Sequence, residues 1–268
     1  MPHLQWKSSL KAFFDERADG IGPAPTTEDL CFIAGRDPRL WADIALYEDL
    51  IESIVCHCAL DGTSNAIEVG CASGFLARGI APRVSRFHGV DHAPQTIEVA
   101  RRLALPNAAF SVSEGSKLAF DNSSFDAAIC YDVFTNFPTI DDGAPLIREM
   151  LRVVKPGGRV LVGSIPDSDL RDRYQERVDE VQAELHEKHG PVAERPARQT
   201  DGVLRQFLKK FRREKLSEAP VIVGYYFRRE DFTELGDALG AKTEISQVHG
   251  KNPYSAFRFN AIYQKPLE

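Results

Sequence analysis

The chain has 268 residues and 43% hydrophobic content, which is enough to bury the core of one α/β domain with a small appendage. Its net charge of −6 argues against a general nucleic-acid binder, and no apolar run approaches the roughly 18 residues that cross a membrane. The amino terminus lacks the basic and apolar parts of a signal peptide. We therefore expect a cytoplasmic protein with neither nucleic-acid nor membrane partners.

The first 60 residues are predicted to be mostly helical. A breaker-rich stretch at residues 20–27 separates two N-terminal pieces. Apolar side chains then recur at steps of three and four and form one helical face. The members of this face are Trp41, Ile44, Ala45, Tyr47, Leu50, Ile51, Ile54 and Val55.

The cysteines predict neither a disulfide framework nor a metal site. Their number is five, an odd count without framework spacing, which is typical of a reducing compartment. Cys56-His57-Cys58 is too closely spaced for metal ligands, and the sequence offers no second ligand cluster. We therefore expect no metal.

Residues 66–77 predict a buried strand, a glycine turn and the start of a helix in succession. Gly70 lets the backbone turn without a Cβ clash, and Gly74 removes a side chain where a helix or a ligand lies against the chain. Asp91 ends the next predicted strand, at the position from which an acid accepts hydrogen bonds from ribose hydroxyls. The pattern predicts a nucleotide-binding turn.

Strand and helix patterns alternate through the middle of the chain. The predicted segments are residues 66–70, 74–81, 86–91, 94–104, 108–113, 125–131, 141–153 and 158–164. Such repeats favour a parallel sheet that binds ligands at the carboxyl ends of its strands. Gly70, Asp91, Glu114 and Tyr131 fall at such ends, so we expect them to line one rim of the sheet.

Four ordered motifs carry a family resemblance. Glu68-x-Gly70-x-x-x-Gly74 and Asp91 are followed by an acid-led segment at residues 113–120, an aspartate-opened strand at residues 124–131, and a helix, Lys-Pro-Gly-Gly turn and strand at residues 146–162. In this order they resemble the class I S-adenosylmethionine-dependent methyltransferases that act on small molecules. The resemblance implies a Rossmann-like, seven-stranded, mostly parallel sheet with helices on both faces, and S-adenosylmethionine as cofactor with S-adenosylhomocysteine as product.

The chain departs from the family pattern at two positions. Ala72 stands where the family usually has glycine, and Ala119 stands where proline is common. The dinucleotide pattern Gly-x-Gly-x-x-Gly is matched less well, because it would need glycine at Ala72 and Phe75, and Phe75 would obstruct a pyrophosphate. A nicotinamide cofactor is therefore the alternative.

The resemblance assigns the glycine turn to the methionine part of the cofactor. Gly70, Cys71 and Gly74 would shape the wall against it, and Glu68 would organise the loop. N-terminal helices often cover the cofactor in similar enzymes, although packing on the sheet edge explains them equally well.

The following strand ends are assigned to the nucleoside. Asp91 would accept hydrogen bonds from both ribose hydroxyls, His92 would lie close to the adenosine, and Glu114 would lie near the adenine amino group. The backbone of two further residues would bond to the ring: Gly115 and Ser116.

Catalytic residues follow less directly from the sequence. Tyr131 and Asp132 would border the methyl-transfer space. Asn136 occupies a position where relatives often have histidine and could orient the acceptor, whereas His249 could reach the rim from the C-terminal hairpin. A sulfonium methyl is already electrophilic, so correct positioning can suffice without a general base.

Residues 166–220 interrupt the alternation with a long charged insertion. One apolar stripe comprises Leu170, Tyr174, Val178, Val181 and Leu185, and a second comprises Val203, Leu204, Phe207, Leu208 and Phe211. Because this insertion follows strand 5, we expect two lid helices above the ligand rim. The second helix carries a row of basic residues, which suits a solvated face or an anionic substrate or partner.

The C-terminal part predicts a helix over residues 229–239 and strands over residues 241–248 and 256–264, which would end the sheet in an antiparallel hairpin. Asn252-Pro253-Tyr254 is similar to a signature of amino-group methyltransferases. That signature follows strand 4, so we assign these residues to a hairpin turn.

The sequence thus predicts an N-terminal helical cap (residues 1–60), a methyltransferase core (residues 61–165 and 221–268) and a helical lid insertion (residues 166–220). We expect methyl transfer to a small-molecule acceptor, with oxygen favoured over nitrogen and carbon. An NAD-dependent oxidoreductase and a non-catalytic S-adenosylmethionine-binding protein are the alternatives. The sequence is compatible with a homodimer but does not predict its interface.

Overall fold

The structure is a computed structural model that describes residues 3–191 and 224–267. Within them, seven strands form one sheet in the order β3-β2-β1-β4-β5-β7-β6. The strands are β1 (Asn65–Val69), β2 (Arg86–Asp91), β3 (Ala108–Val112), β4 (Phe125–Tyr131), β5 (Val154–Pro166), β6 (Lys242–Gln247) and β7 (Arg258–Gln264). The pairs among β1 to β5 are parallel, and β7 is antiparallel to both β5 and β6.

Helices cover both faces of this sheet. They are α1 (His3–Ala18), α2 (Thr27–Ile33), α3 (Pro38–Trp41), α4 (Ile44–His57), α5 (Ala77–Ile80), α6 (Pro94–Arg101), α7 (Ile140–Val153), α8 (Arg171–His189) and α9 (Arg229–Ala238). None of these described helices combines the length and the apolar character needed to span a bilayer.

The core consists of two apolar layers, one on each face. Strand β4 shows why, because its side chains alternate between them: Ala127 and Ile129 belong to the layer under α2, α4, α5 and α6, whereas Ala128 and Cys130 belong to the layer under α7 and α9. All four side chains are buried. A strand that is apolar on both faces is the signature of a central parallel strand, which fixes β4 at the middle of the sheet.

Helix α8 is held against the N-terminal segment. Arg39 in α3 donates hydrogen bonds to Gln182 Oε1 (2.7 Å) and to the carbonyl of Gly190 (2.8 Å), while Asp37 pairs with the same guanidinium at 2.7 Å. Helix α8, which follows β5, is therefore joined to the N-terminal helices.

The predicted fold is confirmed: a seven-stranded, mostly parallel sheet with N-terminal helices and a helix after strand 5. The helix predicted over residues 74–81 is shorter and spans Ala77–Ile80, because the backbone at Gly74 has φ +84° and is still part of the turn. The second predicted lid helix and its basic residues lie outside the described residues.

Candidate active site

Residues from the ends of three neighbouring strands line one cleft, which we call the β1–β3 cleft. Seven of the sequence-predicted site residues contribute to it: Gly70, Asp91, His92, Glu114, Gly115, Ser116 and Asn136. The first six meet because β1, β2 and β3 run parallel, so their carboxyl ends lie at the same edge of the sheet. Asn136 joins them from the segment after β4. Helix α1 adds Trp6, Lys7 and Leu10 to the lining.

Asp91 is the structural centre of this cleft. Its Oδ2 accepts a hydrogen bond from the backbone N–H of Ala72, and its Oδ1 accepts one from Ala93, both at 2.9 Å. The carboxylate is buried and thereby joins the glycine turn to the start of α6. Oδ2 has a second lone pair, so Asp91 can still accept a hydrogen bond from a ligand, whereas Oδ1 also faces the His92 ring.

His92 lies between two acids at the mouth of the cleft. Burial alone would lower the pKa of this imidazole, but Asp91 (Nδ1 to Oδ1 3.3 Å) and Glu114 outweigh it, so that the pKa lies above its ordinary value. The ring therefore carries more positive charge at neutral pH than a free histidine would.

The two glycines of the turn serve different contacts. Both have positive φ angles of +84°. A Cβ at Gly70 would lie 2.5 Å from Val133 Cγ2, and a Cβ at Gly74 would lie 2.7 Å from Leu103 Cδ1. Gly74 does not line the β1–β3 cleft, and its missing side chain lets the segment after α6 pack against the turn. Cys71 is also buried, and burial raises the pKa of its thiol well above the usual range. The thiol therefore stays protonated, and Cys71 contributes its backbone rather than a thiolate to the turn.

Ala72 adopts a backbone conformation that normally belongs to glycine. Its φ is +44°, in the left-handed region where an L side chain is strained. The hydrogen bond from its N–H to Asp91 holds it there. This conformation explains why glycine suits the position and why the chain tolerates alanine only under strain.

Glu68 is the penultimate residue of β1, just before the turn, and only 3% of it is exposed. Its Oε2 is buried without a hydrogen-bond partner in the described structure. Burial raises the pKa of Glu68 to about 8, Asp91 adds to the shift and the nearby Arg36 opposes it. A buried acceptor without a partner at this place suits a donor group of a bound ligand, such as an ammonium.

A second group of charges lies at the ends of β4 and β5, and we call it the Asp132 cluster: Arg36, Asp132 and Arg258. The two guanidinium groups approach opposite carboxylate oxygens, with Arg36 Nη2 at 2.6 Å from Oδ2 and Arg258 Nη2 at 3.3 Å from Oδ1. Asp132 has φ +60°, so its backbone is strained as well. Arg36 also stacks over the rings of Trp41 and Phe75 at 5.0 and 4.7 Å.

The arginines decide the protonation state of Asp132. Burial alone would raise its pKa, but Arg36 and Arg258 outweigh burial and hold the pKa below its ordinary value. A carboxylate so strongly paired is a poor proton acceptor. The neighbouring Tyr131 is buried, and burial raises the pKa of its phenol, so that it stays protonated.

The two predicted catalytic residues are not brought together. Asn136 is half-buried and lines the β1–β3 cleft. His249 is outside that lining, and its side chain is 1% exposed. Its Nδ1 lies 3.0 Å from Asp49 and its Nε2 lies 3.2 Å from the amide nitrogen of Asn252, while burial, against the effect of Asp49, lowers its pKa.

Sequence reasoning missed Arg36, Arg258 and the α1 residues of the cleft. The two arginines lie 222 positions apart, outside every motif, and meet only because β7 begins beside the end of β5. In the described ranges 3–191 and 224–267, no group of three or more His, Cys, Asp or Glu side chains is arranged to hold a metal ion.

Residues 67–162 match the family model described as a methyltransferase domain. Residues 67–162 thus form a methyltransferase domain, which agrees with the predicted class I, S-adenosylmethionine-dependent type. The match spans β1 through most of β5 and therefore includes the strand ends that build the cleft. A solved structure of an S-adenosylmethionine-dependent methyltransferase from Methanosarcina mazei has the same fold, with a TM-score of 0.54 and 20% identity over 80% of this chain and 98% of that one.

Two curated relatives are similar over part of their length. An ubiquinone biosynthesis O-methyltransferase from Alkalilimnicola ehrlichii is 32% identical over 114 residues, which is 41% of this chain and 44% of the relative. A chondramide synthase from Chondromyces crocatus is 30% identical over 151 residues, 54% of this chain and 4% of that protein. The chain thus spans less than half of these relatives. Methyltransferase comparisons support S-adenosylmethionine, rather than a nicotinamide, as the cofactor of the domain.

Replacing Ala72 by glycine should stabilise the methyltransferase domain. Glycine adopts φ +44° without Cβ strain, so we expect Ala72→Gly to raise the free energy of unfolding by about 1 kcal/mol in urea denaturation. Ala77→Gly is the matched control, because Ala77 lies in α5 and glycine should there lower stability by about 1 kcal/mol. A loss of stability in Ala72→Gly would contradict the strain at this position.

Glu68 should make stability depend on pH. Folded protein keeps the Glu68 proton up to about pH 8, whereas the unfolded chain releases it near the ordinary pKa, so the free energy of unfolding should fall as pH rises between the two values. Glutamine has no proton to release, so in Glu68→Gln the free energy of unfolding should fall less between about pH 5 and pH 8 than in the parent protein. We expect the difference to be about 2–4 kcal/mol. Parallel stability profiles for the two proteins would contradict the raised pKa.

Proposed function

We propose that the protein is an S-adenosylmethionine-dependent methyltransferase that methylates a small-molecule acceptor, with oxygen as the favoured acceptor atom. The observation that carries the proposal is the β1–β3 cleft, in which Gly70, Asp91 and Glu114 from three separate strand ends share one lining. The likeness to an ubiquinone biosynthesis O-methyltransferase supports oxygen.

Residues of the cleft, together with the buried Glu68 of β1 outside its lining, suit the parts of this cofactor. Asp91 would accept from the ribose hydroxyls, and Glu114 would accept from the adenine amino group. Glu68 has a buried oxygen without a described partner, which suits the ammonium of the methionine part. Trp6 and Leu10 of α1 would cover the nucleoside and exclude water. When bound, the cofactor supplies an electrophilic methyl group on its sulfonium.

Acceptor positioning, rather than proton removal, is the main catalytic contribution that this arrangement supports. Asp132 is paired with two arginines, and His249 is enclosed by Asp49 and Asn252. Holding an acceptor in line with a reactive group can contribute about 7–11 kcal/mol. Asn136 lines the cleft and can orient a polar group there, in keeping with its predicted role.

Loss of the Asp91 carboxylate should weaken cofactor binding. Charge-assisted hydrogen bonds contribute about 1.5–3 kcal/mol each, so Asp91→Ala should lower the affinity for S-adenosylhomocysteine at least about tenfold in isothermal titration calorimetry. Asp126→Ala is the matched control, because Asp126 also accepts from a backbone N–H (Asn65, 2.8 Å) but lies at the amino end of β4.

The same calorimetric series distinguishes the alternatives. The control should bind S-adenosylhomocysteine as the parent protein does, and NAD should bind neither variant nor parent. Unchanged affinity in a folded Asp91→Ala protein would contradict the ribose assignment. Binding of NAD in place of S-adenosylhomocysteine would favour the nicotinamide-dependent alternative.

A further inference from the structure

Arg258 lies where an acceptor would approach the methyl group. It is the first residue of β7, which pairs antiparallel with β5, so Arg258 stands opposite Pro166 at the carboxyl end of the parallel strands. The β1–β3 cleft lies mainly at the ends of β1, β2 and β3, which are on one side of β4 in the sheet, and it extends to the segment after β4. Arg258, on β7 at the other side of β4, contacts Asp132 at the end of β4. The methyl donor and Arg258 would therefore flank Asp132.

The guanidinium of Arg258 has donors to spare. Its Nε donates to the carbonyl of Ser164 at 3.0 Å, its Nη1 donates to the hydroxyl of Tyr174 at 3.2 Å, and its Nη2 faces Asp132 at 3.3 Å. A guanidinium has five N–H groups, so contacts with described residues account for three of them. The side chain is 13% exposed, which leaves part of it open to a ligand.

The charges of the Asp132 cluster do not balance. One carboxylate stands between two arginines, each largely buried. Buried positive charge is costly without a partner, so an anionic group beside Arg258 would be stabilised there.

Aromatic rings gather around Tyr174, whose ring lies 5.8 Å from the guanidinium carbon of Arg258. Tyr174 is central, with the ring centroids of Tyr226, Tyr254 and Phe257 at 6.0, 5.6 and 6.1 Å from its own. These four rings are half-buried rather than enclosed. Rings in such a group offer faces and edges on which a planar ligand can pack.

We propose that the methyl acceptor is a hydroxylated aromatic acid, whose carboxylate pairs with Arg258 while its ring packs against Tyr174 and the neighbouring rings. This inference rests on the proposed function. Arg258 is then a binding residue that selects charged acceptors over neutral ones, and the cofactor is held independently at the β1–β3 cleft.

Matched acceptors test this selection. Transfer of labelled methyl from S-adenosylmethionine is measured with caffeate and its amide, with salicylate and salicylamide, and with neutral catechols and primary amines. A charge-assisted pair corresponds to about a tenfold to hundredfold effect, so we expect kcat/KM for at least one acid to exceed that of its amide by this factor. In Arg258→Gln the ratio of kcat/KM for the acid to kcat/KM for its amide should fall to about two. The change should come from a lower kcat/KM for the acid, with that for the amide unchanged.

Three further variants separate recognition from folding. Arg258→Lys keeps the charge without the planar fork and should retain an intermediate preference. Tyr174→Phe removes the hydroxyl but keeps the ring and should retain most of the preference. Arg86→Gln removes an exposed arginine at the start of β2, at the opposite edge, and should leave the preference intact. Thermal denaturation and S-adenosylhomocysteine affinity are recorded for each, and Arg258→Lys replaces Arg258→Gln if the latter does not fold.

The outcomes distinguish this inference from the function on which it rests. Methylation of neutral phenols or amines in preference to the acids, or an unchanged preference in Arg258→Gln, overturns the acidic acceptor and leaves the methyltransferase assignment standing. Failure to methylate any acceptor of the panel by a protein that binds S-adenosylhomocysteine overturns the acidic acceptor alone, whereas failure to bind S-adenosylhomocysteine overturns the proposed function.

Discussion

The site depends on the carboxylate of Asp91, which holds two backbone N–H groups from different segments. Through Ala72 it keeps the turn after β1 in a left-handed conformation, and through Ala93 it fixes the start of α6. Parallel strands bring the ends of β1, β2 and β3 to one edge, but this carboxylate sets the shape of the turn that a cofactor would contact. The hydrogen bond from the Ala72 N–H to Asp91 offsets the backbone strain at Ala72.

Electrostatics divide the carboxyl edge into two environments. Around β1 to β3, acids predominate, and they suit the hydroxyl, amino and ammonium groups of a nucleoside sulfonium. Around β4, β5 and β7, two arginines exceed one carboxylate, which suits an acid. Asp132 stands at the boundary, and its low pKa keeps it a fixed charge rather than a proton acceptor. The edge therefore favours ligands of opposite charge on its two sides.

The sequence predicted the sheet and the meeting of Gly70, Asp91 and Glu114 at one edge of it, because apolar runs, the glycine turn and Asp91 lie in short ordered motifs. The cluster around Asp132 could not be predicted in this way, since Arg36 and Arg258 come from distant segments that meet only after β7 has paired with β5. Periodicity also placed the start of the helix after the turn too early. Hydrophobic periodicity carries no information on backbone strain. The positive φ angles of Ala72 and Gly74 keep the residues before Ala77 out of the helix.

A crystal structure of the protein with S-adenosylhomocysteine tests the central claim most directly, because it locates the adenosine relative to the strand ends. We expect the ribose against Asp91, the adenine beside Glu114 and the amino-acid end over Gly70 and Glu68. Adenosine bound elsewhere, for instance in the polar cleft lined by Asp61, Lys155 and Arg159 at the opposite edge, would contradict the assignment of the carboxyl edge as the cofactor site.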